Sequence, residues 1–201
     1  MPFATAALNY MLDQAGTNKL THASLHTAYS ASGANEVTGG GYARKALTWG
    51  SAASGGKALS GSYVFDVPVG TVAWVGFWDA STSGNFQAMA PAGAGQPLAF
   101  TGAATGDALT VPGHTFADTS TVVVFPAAGA TLPVGLTAGT VYYVRDSSTP
   151  TLKLAATSGG SAIDLTANGG GLIQAITAEV FAAPGTYTLS DPASGEMLSL
   201  V

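Results

Sequence analysis

The 201-residue sequence contains no cysteine. That absence removes disulfides, thiolate nucleophiles and thiolate metal sites together, leaving packing and association as the sources of stability. Charge is nearly as scarce: Lys, Arg, Asp and Glu make up 8% of the chain, against about 25% in an ordinary soluble protein. A surface with so little charge is weakly protected against association, which implies that part of it is covered in an assembly. The six basic residues are scattered and outnumbered by 11 acids, for a net charge of −5, so there is no basic face to neutralise phosphates and nucleic acid is not expected as a partner. Long apolar runs are missing too. No stretch approaches the roughly 18 apolar residues of a membrane span, and the opening MPFATAALNYMLDQ has neither a basic start nor an apolar core. Neither membrane insertion nor an export signal is expected.

What is present is β-forming. One helix opens the chain, with Leu8, Met11, Leu12 and Ala15 at i, i+3, i+4 and i+7, Pro2 and Thr5 as start signals and Gly16 as a stop. Four segments rich in β-branched and aromatic residues follow: LTHASLHTAY (20–29), YARKALTW (42–49), ALSGSYVFDV (58–67) and TVAWVGFWDA (71–80), separated by Gly, Ser, Asn and Pro. In the last, Val72, Trp74, Gly76 and Trp78 alternate with Ala73, Val75 and Phe77. Both faces are apolar, which predicts a central strand. The fold class expected is all-β, an antiparallel β-sandwich of jelly-roll type with one short N-terminal helix.

The texture changes near Gly93. From about 100 to 177 the chain runs in short strands (DALTV, TVVVF, TVYYVRD, TLKLAA, SAIDL, GLIQAI) joined by Pro-Gly, Gly-Ala and Asn-Gly-Gly turns. Tyr142 and Tyr143 point to opposite faces of their strand, so at least one is expected in the core. Since QPLAF before this region and AEVFAAPGTYTLSD after it both read as strands of the first domain, residues 1–99 and 178–201 form a base sandwich, and 100–177 form a small β domain inserted in one of its loops and projecting outward. No fixed-period repeat is present.

Several residues invite a chemical reading. His22 and His26 are four apart, the spacing of a zinc site on a helix, but the Glu of HExxH is missing and the surroundings read as a strand. A third ligand would have to come from His114 or a distant acid. Ser24 beside His26 suggests a nucleophile, yet there is no G-x-S-x-G elbow. The glycines of VTGGGYAR precede no helix and no Gly-Lys-Ser/Thr, so a strand connection explains them better than a phosphate cradle. Asp66, Asp79, Asp107, Asp118, Asp146, Asp164 and Asp191 fall at strand ends and turns, where Asp caps backbone N–H groups. They are too dispersed for an acid/base pair, and DQAGTN is too sparse for a calcium loop. Trp74, Phe77 and Trp78 fit core packing better than a sugar platform. The sequence therefore nominates no catalytic, cofactor-binding or metal residues, and no cofactor.

A short helix ending in MLDQ, then SLHTAYSASGANEVTGGGYARKALTWG, the VPVGT turn, VAWVGFW and a closing GTYTL together resemble a family of small virion proteins of tailed bacteriophages, usually labelled tail fibre or minor tail proteins. The resemblance covers about 1–99 and 178–201, with 100–177 as a departure that is similar to a β module recurring in phage tail and adhesin-like chains. It implies a non-enzymatic structural protein of the virion surface, assembled in the host cytoplasm, in a tail fibre, spike or capsid decoration role. The GANEVTGG stretch is then a family connector. The partners implied are further copies of itself as a homotrimer, phage capsid or tail proteins and, in an alternative reading, host cell-surface glycans bound by the insert. With neither repeats nor coiled-coil heptads, a compact knob or cap is expected in place of an extended shaft.

Overall fold

The computed structural model describes residues 4–54, 56–93, 95–190 and 198–199; Pro2 and Asp191, invoked above, lie outside them. The protein is all-β, with one short helix among the described residues. It divides into two compact units, 1–92 with 178–201, and 93–177.

In the first unit α1 (Thr5–Asn18) leads into β1 (His22–His26), β2 (Lys45–Ala46), β3 (Gly56–Lys57), β4 (Tyr63–Val67), β5 (Gly70–Val72), β6 (Trp74–Trp78) and β7 (Phe86–Pro91). After the second unit come β14 (Glu179–Phe181), β15 (Gly185–Leu189) and β16 (Leu198–Ser199). One sheet has the order β2-β1-β6-β7, and three antiparallel ribbons pair β14 with β5, β15 with β4 and β16 with β3. As the two-sided apolar pattern requires, β6 is central and buried along its whole length. Its register against β1, with Ala23 opposite Phe77 and Leu25 opposite Val75, aims these four side chains at one face. There they join Phe65 and Val67 of β4, Tyr187 and Leu189 of β15, and Val37 in one core.

Local departures from the sequence pattern have packing causes. The 71–80 segment breaks at Ala73 into β5 and β6, which moves Val72 from the Trp74 side into the core with Val75 and Phe77. Gly16 does not stop α1: it is buried inside the helix, where a Cβ would approach Lys57 Cε and lie 3.1 Å from Trp49 Cγ. Leu12 and Gly16 form the buried side while Met11 stays exposed, so the docking stripe is narrower than the apolar spacing suggests. Lys57, itself buried, bonds the Asp13 carboxylate of the helix and the Gly50 carbonyl at 2.6 Å. Of the 42–49 segment only Lys45–Ala46 is strand, because Tyr42 and Arg44 are used otherwise.

The second unit is a closed antiparallel barrel. Its strands are β8 (Leu98–Ala103), β9 (Ala108–Thr110), β10 (Thr121–Phe125), β11 (Val141–Ser148), β12 (Thr151–Ala155) and β13 (Gly169–Ala175), in the order β10-β11-β12-β9-β8-β13. Leu98–Phe100, read above as part of a base strand, thus belongs to the barrel. The Asn-Gly-Gly run is not a turn either: its glycines open β13, where a Cβ on Gly169 would collide with the Thr131–Pro133 backbone. Phe100, Leu109, Val122, Val124, Val144, Leu152 and Ile173 fill the interior. Tyr142 is buried among them while Tyr143 is only half-buried. Gly93 lies against Thr177, so the chain enters and leaves this unit at one place.

Candidate functional site

The face of β1 and β6 turned away from the core carries every residue of the SLH segment that invites chemistry. The register sets His22 opposite Trp78, Ser24 opposite Gly76 and His26 opposite Trp74. Ser24 and His26 are fully buried, and Ser24 Oγ lies 2.7 Å from His26 Nε2. Gly76 is what admits them, since a Cβ there would fall 2.5 Å from Ser24 Oγ and closer still to the imidazole Nε2.

At first sight this is a nucleophile–base pair, and the hydrogen-bond accounting shows what it is instead. His26 Nδ1 is 2.8 Å from the Ala34 carbonyl, which can only accept, so Nδ1 carries the proton and Nε2 accepts from the Ser24 hydroxyl. The indole Nε1–H of Trp78 donates to Ser24 Oγ at 2.7 Å. Every polar atom of the trio is thereby paired within the fold. No carboxylate orients the imidazole, and neither side chain reaches solvent. Desolvation holds the His26 pKa below the ordinary imidazole value, outweighing the bond to Ala34 and the Glu36 charge. The ring is a neutral structural joint.

The connector that covers this face is pinned by its own side chains. Val37 N–H donates to Leu25 O, and Thr27 N–H to Asn35 O, so residues 35–37 extend the β1 ladder. Arg44 donates to both Glu36 oxygens, with Nη2 at 2.7 Å and Nε at 2.9 Å, a bidentate pair. Its guanidinium lies 3.5 Å above the Trp78 ring and also donates to Ser83 O at 2.9 Å. The Tyr42 hydroxyl donates to Glu36 at 3.1 Å and accepts from Leu25 N–H at 2.8 Å; burial pushes its pKa well up. GANEVTGGGYAR is therefore a strap: Glu36, Tyr42 and Arg44 lock it, and the glycines between them turn the chain.

The other candidates stay apart. His22 Nδ1 lies 2.9 Å from the neighbouring Thr21 hydroxyl. His114 belongs to the barrel, stacked on Phe116, with both ring nitrogens buried and unpartnered. Among the described residues no three His, Asp or Glu side chains converge as a metal site would require. Asp79, Asp107 and Asp118 cap backbone N–H groups of Asn85, Leu165 and Ser147, as turn aspartates do. Trp78 lies under Arg44 of the strap and Trp74 against Tyr29, and neither joins the main core cluster. The strap lock went unrecognised in the sequence, where the eight-residue spacing of Glu36 and Arg44 in an irregular segment carries no periodic signal.

Compared with known proteins, the sequence matches the family described as Podophage GP4 fiber I protein gp80 over residues 3–112. The match takes in α1 to β7 and continues through β8 and β9 of the barrel. No curated protein and no solved structure gives a significant match.

Proposed function

The chain belongs to the podophage GP4 fiber I protein gp80 family, which makes it a phage fibre protein of the virion, and from that premise we propose that it is a non-enzymatic component displayed on the particle surface. The family match over more than half of the chain carries this reading. It is supported by the saturation of Ser24 and His26 with internal partners, which leaves the one enzyme-like pair without a free proton acceptor or a path to substrate.

The finer role is a tail fibre or spike subunit, with capsid decoration as the competing placement, and the working form is a homotrimer held through the first unit. Five of the six large apolar side chains exposed among the described residues, Tyr10, Met11, Val64, Val69 and Val180, lie in that unit, against Val134 in the barrel. The closed barrel leaves no strand without two neighbours, whereas β2 and β7 are sheet edges open to pairing. Gold-labelled antibody on intact purified particles distinguishes tail from capsid. Absence of the chain from purified virions, with presence in lysate alone, overturns the proposal.

A further inference from the structure

The ribbon of β4 and β15 has strict alternation: Phe65, Val67, Tyr187 and Leu189 face the core, and Val64, Asp66, Thr186 and Thr188 face solvent. Asp66 and Thr186 stand directly opposite each other, which sets a carboxylate beside a hydroxyl on the outer face. Neither side chain has a hydrogen-bond or ionic partner among the described residues, so Asp66 departs from the capping role that Asp79, Asp107 and Asp118 fill. At this point the Gly40–Gly41 backbone, Pro68 and Pro184 wall a cleft of about 300 Å³ around the pair, the lower end of the range for small-molecule pockets, which begins at about 300 Å³. The amides of Gly40 and Gly41 donate to no described residue. A Cβ on Gly41 would sit 3.2 Å from Asp66 Oδ2, so any larger residue would fill the cleft.

The lining decides the ligand. An unopposed carboxylate with no basic neighbour repels anions. One carboxylate without companion ligands is too little for a metal ion. The walls are mostly apolar, but a wholly apolar group would leave the Asp66 carboxylate and the Thr186 hydroxyl unmet. A neutral ring bearing vicinal hydroxyls meets these features: its O–H groups donate to Asp66, and its C–H face rests on the two prolines and the glycine backbone. We propose that this cleft is a binding subsite for a neutral pyranose sugar, and that the glycine run of the strap is its wall. A second cleft of about 180 Å³ shares Val67 and Pro68 and brings the side chains of Thr27, Thr38 and Thr71, so the surface continues for a further sugar unit. The proposal rests on the surface display argued above and assigns glycan contact to the first unit.

The test is amide chemical-shift mapping of the full ¹⁵N-labelled chain, titrated with methyl glycosides of glucose, galactose, mannose and rhamnose and with their short oligosaccharides. At least one sugar is expected to shift the Gly40, Gly41 and Thr186 amides saturably, with a dissociation constant in the millimolar range that suits so open a cleft and a smaller one for the oligosaccharide. Asp66→Ala weakens binding about tenfold, the loss of a charge-assisted bond, and Gly41→Val abolishes it, while amides of the core strands stay in place in both variants. No saturable shift at these amides with any sugar, or shifts that survive both variants, overturns the assignment. Incorporation of the Asp66→Ala chain into particles reports separately on the virion role: particles that carry it yet lose sugar uptake fail neither idea, whereas particles that lack even the unaltered chain fail the virion reading alone.

Discussion

At the scale of single residues, the molecule shows how one pair of side chains can have catalytic spacing and no catalytic role. Ser24 and His26 are neighbours on one face of a strand because side chains alternate with period two, and any S-x-H in a strand brings them close. Their role is set by what the rest of the fold supplies: a carbonyl on Nδ1, an indole N–H on Oγ, and burial away from solvent. Ser24→Ala leaves the Trp78 N–H and His26 Nε2 buried without partners and is expected to cost about 1–3 kcal/mol, read as a lower midpoint in urea with unchanged slope. A pH dependence follows from the depressed His26 pKa. The unfolded ring takes up a proton below about pH 6.5, while the folded ring resists it. Below that pH the unfolded state therefore binds more protons, and stability falls as pH falls until the folded ring also titrates. Urea midpoints measured between pH 7.5 and pH 5, roughly spanning that transition, should fall, and a profile flat through this window would contradict the neutral-joint assignment.

At the scale of elements, the strap is the informative one. It has almost no regular secondary structure, yet its course is fixed by the Glu36–Arg44 pair, whose side chains are 20% and 12% exposed. Removing one partner leaves the other charge largely out of water, so Glu36→Ala is expected to destabilise the first unit by about 3 kcal/mol and to open the 38–41 glycine turn to proteolysis. Unchanged cleavage kinetics at that turn would show that the backbone ladder alone holds the strap. The helix and the long strands were legible beforehand because their periodicity reports directly on burial, as Trp74–Trp78 illustrates. YARKALTW misled because its β-forming side chains are used to pin a loop: Tyr42 and Arg44 satisfy distant groups, a constraint that propensity does not encode. The glycines that open β13 misled for the converse reason. They mark a close backbone approach inside a strand, which looks like a turn in one dimension.

At the scale of the whole molecule, the two units manage their strand edges differently. A closed barrel removes edges outright, while the first unit keeps open edges on short strands with few charges to discourage pairing. The self-association proposed for the first unit fits this difference, and closed symmetry would keep it from running on into fibres. Light scattering on the purified chain should give a trimer mass, and the trimer should persist when residues 93–177 are replaced by a short linker joining the adjacent ends of the first unit. A monomer at micromolar concentration would overturn the proposal, and an oligomer lost only on removing the barrel would transfer the contact to that unit.

The sequence by itself determined the all-β class, the single helix, the centrality of β6, the absence of thiol chemistry and the kinship to phage fibre proteins. Each of these depends on composition or on short-range order along the chain, which a linear pattern preserves. Tertiary structure alone decided that Ser24 and His26 are saturated, that Glu36 and Arg44 close the strap, that the barrel seals its own edges, and that Asp66 is left unpaired beside Thr186. These depend on which groups meet across tens of residues, through registers such as Ser24 against Gly76 and Asp66 against Thr186. A shift of one residue in such a register would turn every side chain to the other face, so only the assembled sheets settle which polar groups are satisfied and which remain open to a partner.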